Sequence, residues 1–132
     1  MAYTVPNQGQ LPINTDMGAL ITAVAATTSQ ASAVQNTPAG KGLIVVLRMQ
    51  TVGTGSVTLT ISGVDQASGQ SYTLLAGVAV VTNSVNVYTV YPGAPATANV
   101  SANSPVPAFW QVSVAANNAN PTTYTVGAVS IA

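Results

Sequence analysis

Hydroxyl side chains are plentiful in this sequence, and a serine or threonine becomes a nucleophile only beside a base. There is no His, no Glu and no Cys. A Ser-His-Asp arrangement therefore lacks its central member. A Ser–Lys pair would have to use Lys41, and Gly40-Lys41-Gly42 reads as a solvated turn. Paired-carboxylate glycoside chemistry needs two acids across one cleft. The only acids are Asp16 and Asp65, far apart in sequence, one in a polar N-terminal stretch and one in a loop. Gly53-Thr54-Gly55 lacks the Gly-Lys-Ser/Thr ending and the following helix of a phosphate loop. The residues point away from an enzyme.

Metal chemistry is excluded on the same grounds. Zinc takes His, Cys or carboxylate ligands, and calcium takes several oxygens that usually include carboxylates. Two isolated aspartates supply neither set, and no cofactor is expected. The aromatics Tyr72, Tyr88, Tyr91, Trp110 and Tyr124 are the residues that could stack on sugar rings. Trp110, however, alternates with Val112 and Val114, which places it on the core side of a strand. Tyr88 and Tyr91 fall on opposite faces of theirs. Arg48 stands mid-strand among apolar residues, where an unpaired guanidinium is costly. Asp65 is its natural ion-pair partner within the domain. A backbone carbonyl or a neighbouring subunit is the rival.

Only four of 132 residues are charged, and they cancel to zero. An average domain is charged at roughly 25 % of its positions. The chain is nonetheless 48 % hydrophobic, enough for a core. Two basic residues cannot track a phosphate backbone, so nucleic acid is not an expected partner. The longest apolar run, Leu74 to Val81, is far short of the ~20 residues of a membrane helix, so no membrane is expected either. Met1 to Asn7 has neither the basic region nor the apolar block of a secretion signal. With charge repulsion between copies nearly absent, such a surface suits a subunit whose faces are covered in an assembly.

These residues need a β framework. Residues 1–17 read as an extended arm: Pro6 and Pro12 block regular structure, while Tyr3, Val5, Leu11 and Ile13 are its apolar contacts with a partner. Residues 18–132 form the folded domain. Ala-rich residues 18–36 suggest two short strands, near 19–26 and 29–36, because the β-branched Ile21, Thr22 and Val24 oppose a helix. Leu43 to Gln50 is apolar on both faces, the mark of a central or doubly covered strand. Val57, Leu59 and Ile61 alternate with Thr and Ser, placing them in the core. Further strands follow at 71–75, 85–91, 109–116 and 122–131. Trp110, Val112 and Val114 belong to the core side of the third of these. The proline-rich stretch 92–107 is a long connection. The expected fold is all-β: a single jelly-roll-like β-sandwich of about eight strands.

From residue 42 onward the chain resembles small virion structural proteins of tailed bacteriophages. The landmarks are Gly55 to Gly63, then Asp65, Ser68-Gly69 and Tyr72. Tyr91-Pro92-Gly93 with Ala96 to Ser101 comes next, followed by Phe109 to Val114 and Tyr124-Thr125-Val126-Gly127-Ala128. Such proteins often carry basic residues where this chain has Pro107-Ala108-Phe109 and Asn117-Asn118, so no charge-based contact carries over. The resemblance implies a β-sandwich in a virion, assembled in the cytoplasm of a bacterial host. The expected function is capsid decoration, with the major capsid protein as partner and binding at junctions between its subunits. A homotrimer would suit the three-fold positions of a shell. The alternative is a receptor- or polysaccharide-binding domain on a tail or head fibre.

Overall fold

The computed structural model describes residues 14–132. Ten strands appear in chain order: β1 (Thr15–Ala26), β2 (Gln30–Ala31), β3 (Gln35–Asn36), β4 (Gly42–Thr51), β5 (Val57–Val64), β6 (Ser71–Ala76), β7 (Val85–Val90), β8 (Ser101–Ala102), β9 (Phe109–Ala116) and β10 (Thr122–Ile131). One sheet runs β1-β10-β4-β7-β8 and the other β2-β9-β5-β6, with β3 also on β9. Counting β2 and β3 as one interrupted strand, and β8 as an addition to the edge, leaves two four-stranded sheets. Their order is that of a jelly roll, which accounts for the long sequence separation of paired strands.

The core lies between the sheets because alternate residues of each strand point there. Leu43, Val45 and Leu47 of β4 meet Val57, Leu59 and Ile61 of β5, all at most 1 % exposed. Val126 of β10 and Trp110, Val112 and Val114 of β9 complete the centre, all fully enclosed. Trp110 Nε1 donates to Thr37 Oγ1 at 2.8 Å, so its one polar atom is partnered inside the fold.

The N-terminal third departs from its expected outline. Thr15 and Asp16, assigned to the arm by sequence, already pair with Ser130 and Val129 of β10. Tyr3, Val5, Leu11 and Ile13 lie outside the described residues. The strand expected at 29–36 is broken in two. Between its halves Ser32 turns inward, and its Oγ accepts from Val112 N at 3.1 Å while its own N donates to Val112 O at 2.9 Å. That side chain takes over one rung of the ladder. The long connection 92–107 gains β8, which pairs parallel to β7.

Candidate functional site

Asp65 and Arg48 do not form the expected ion pair. Arg48 is exposed on β4 in one sheet, whereas Asp65 lies in the loop joining β5 to β6 of the other. The Asp65 carboxylate is engaged locally, accepting from Ser68 Oγ at 2.7 Å and from Ala67 N at 3.2 Å. These bonds hold its pKa below the ordinary value, the Ser68 bond being the larger cause. Arg48 escapes burial because β4 is covered on one face only: Leu47 and Met49 point inward and Arg48 outward. Lys41 is exposed in its turn. Among the described residues no three His, Cys, Asp or Glu side chains gather into a metal-binding group.

What the sandwich does present is two unlike outer faces. On the β2-β9-β5-β6 sheet the central outward residues are hydroxyls and amides, with Phe109, Ala115 and Ala76 toward its margins. Thr60 pairs with Ser113, and Ser62 lies between Gln111 and Thr73. Gln111 Nε2 donates to Ser32 O at 2.7 Å, and Asn117 Nδ2 to Ser56 Oγ at 2.8 Å and Thr58 Oγ1 at 3.0 Å. No aromatic ring stands among these central residues.

The other sheet carries a contiguous apolar patch on its outer face, bordered by threonines and two charged residues. Strand register sets its outward residues in three rows. Ala19, Gly127, Val46 and Val87 form the middle row, crossing β1, β10, β4 and β7. Asp16, Val129, Ile44 and Thr89 form a second, and Thr22, Thr125, Arg48 and Val85 a third. Val87 is 50 % exposed and Val85 64 %. Gly127 leaves the centre of the face low: a Cβ added there would meet only the Gly18 carbonyl, at 3.4 Å. Two of the chain's four charges, Asp16 and Arg48, flank this centre on opposite sides. Sequence reasoning missed the face as a unit, although the double-sided apolar run 43–47 was its signature.

The aromatics are dispersed. Trp110, Tyr124 and Tyr88 are buried, Tyr91 donates its hydroxyl to Ala132 O at 3.3 Å, and Tyr72 is half-exposed beside Gly63 and Pro107. They make no common platform.

No protein-family model matches the chain, and no curated protein matches it. Among solved structures it is similar to the subunit of Bacillus endospore appendages, a family of disulfide-linked pili. The identity is 19 % and the TM-score 0.51, over 91 % of this chain and 88 % of that one. A weaker likeness is to the Clostridium thermocellum xylanase 10B CBM22-1–GH10 modules complexed with xylohexaose. There the identity is 8 % and the TM-score 0.40, over 86 % of this chain and 28 % of that one. The first likeness supports the β-sandwich fold; the second carries no argument.

Proposed function

We propose that the protein is a structural subunit of a multi-copy assembly, and that it decorates a bacteriophage capsid at junctions between major capsid subunits. The observation that supports this most is the contrast between the two outer faces. A subunit built into a layer needs one face that water tolerates and another that neighbouring subunits cover. The hydroxyl-amide sheet is the first, and the sheet carrying Ile44, Val46, Val87 and Val129 is the second. A contiguous apolar sheet face on a free monomer is a solubility hazard, and this chain has little charge to offset it. The resemblance from residue 42 onward supports the virion as the setting. The pilus likeness is compatible with a subunit role in general. With no cysteine, no disulfide links copies of this chain.

Small repeated contacts suffice for such a role. Apolar burial contributes ~25 cal/mol per Å², so a modest contact repeated over hundreds of copies stabilises a shell substantially, even after association costs. The test is copy number in purified virions by quantitative mass spectrometry. Hundreds of copies per particle are expected. Six to a few dozen would indicate a tail or fibre protein instead, and absence from virions would remove the reading.

A further inference from the structure

We infer that the outer face of the β1-β10-β4-β7 sheet, with its apolar central patch, is a self-complementary contact with a second copy of this chain, related by a two-fold axis that passes over Gly127 in the plane between the two sheets. The inference deepens the subunit reading above by naming the neighbour that covers this face.

The register carries the argument. Asp16 is opposite Val129 on β10, and Arg48 is opposite Thr125 on the other side of the same strand. Gly127 lies midway between Val129 and Thr125. Asp16 is one strand to one side of it, and Arg48 one strand to the other. With strands about 4.8 Å apart and about 3.4 Å per residue, each charged residue's Cα is about 8 Å from Gly127, in opposite directions. A two-fold axis lying in the contact plane, perpendicular to the Asp16–Arg48 line, therefore brings each Asp16 onto the other copy's Arg48. Both ion pairs form at once, which is the reciprocity an isologous contact demands.

The remaining features fit the same operation. Gly127 meets its own image on the axis, where its missing side chain lets the two sheets approach. Val46 and Val87 extend the apolar row, and Val129 and Ile44 border it. The strands of the two copies cross steeply, in the orthogonal rather than the aligned manner of sheet packing. Three rows on four strands cover about 400 Å² of plane per copy, which puts the contact near the lower limit of ~1,000 Å² of total buried surface for a specific interface. The expected dimer is thus a weak one in free solution. Its ion pairs lie toward the rim, where they set orientation more than affinity.

The full-length protein is measured by sedimentation equilibrium up to millimolar concentration, as wild type, Asp16→Arg, Arg48→Asp and the double swap. Wild type is expected to show a monomer–dimer equilibrium. Each single reversal places two like-charge pairs in the dimer and weakens association at least about tenfold. The double swap restores it. Most diagnostically, an equimolar mixture of the two single variants associates. One variant then carries a positive charge at both positions and the other a negative charge at both, so each of the two facing pairs is again of opposite sign. A folded Gly127→Leu variant, checked by circular dichroism, is expected to be monomeric because its side chain stands on the axis. A wild-type monomer at every concentration, a trimer, or a mixture that stays monomeric would overturn the inference. The virion copy number is a separate measurement: hundreds of copies with a monomer in solution keep the decoration reading and remove the dimer, and the converse keeps the dimer alone.

Discussion

Trp110 sets the stability of its strand by two distinct means. Its ring is fully buried, and its Nε1–H is satisfied by Thr37 Oγ1. Trp110→Ala leaves a large cavity and is expected to cost about 3–5 kcal/mol, a substantial share of the roughly 5–15 kcal/mol typical of a domain. Thr37→Val should cost about 1–3 kcal/mol, because it leaves a buried donor without a partner while changing volume little. Thr37→Ser keeps the hydroxyl and should lose much less. Urea denaturation of the three variants, followed by far-UV circular dichroism, reads the differences. If Thr37→Val and Thr37→Ser melt alike, the hydrogen bond contributes nothing and the packing alone matters. The other polar expectation at this scale, the Arg48–Asp65 pair, fails because sequence does not say which sheet a residue joins. Both residues are local instead: Asp65 closes its own loop, and Arg48 points outward from β4.

At the scale of elements, β4 tests whether the two faces differ as described. Val45 is fully buried and Val46 is half-buried on the outer face. Val45→Thr places a hydroxyl in the core and is expected to cost about 1–3 kcal/mol. Val46→Thr should change the stability of the dilute protein by no more than about 0.5 kcal/mol. Thermal melts at low micromolar concentration separate the two; equal losses would mean that both faces of the strand are packed within one copy. The same strand shows what is legible in the sequence. Strict alternation at 57–61 announces β5 because only one of its faces is apolar. Leu43 to Leu47 announces a central strand, and β4 is central, flanked by β10 and β7. It cannot announce that one apolar face lies outside, since sequence period does not distinguish a covering sheet from an open surface. β1 reads too short because its pairing is irregular. Gly18 and Ala25 both have positive φ, and the register shifts at three places along the strand. Those irregularities erase the two-residue period that would have joined Asp16 to the sheet, and with it half of the charge pattern on the outer face. They also twist an exposed edge, which discourages unwanted strand pairing.

At the scale of the whole molecule, the near absence of ionisable side chains gives an unusual pH profile. With no His, Glu or Cys, no side chain has its ordinary titration between about pH 5 and 9. The stability of the monomer should therefore be almost flat across that range, and nearly indifferent to salt. On the acid side Asp65 has a lowered pKa, so its contribution is complete above the ordinary carboxylate value and is lost as pH falls through the lower, folded value. Because that carboxylate is solvent-exposed, the acid loss should be small. The alkaline side is different. Burial raises the pKa of both Tyr88 and Tyr124, whose hydroxyls resist ionisation inside the sandwich. Below about pH 10 both states keep these protons and nothing changes. Above it the unfolded chain releases them first, so it binds fewer protons than the native state, and stability falls as pH rises toward the folded values. Urea midpoints at pH 5, 7, 9 and 11 should be level for the first three and lower at the fourth. Tyr88→Phe with Tyr124→Phe should remove most of the alkaline decline and leave the neutral midpoint little changed, since the phenyl rings fill the same core positions. A midpoint that peaks near neutrality, or a double variant that declines as the wild type does, would place the pH response in groups other than these two tyrosines.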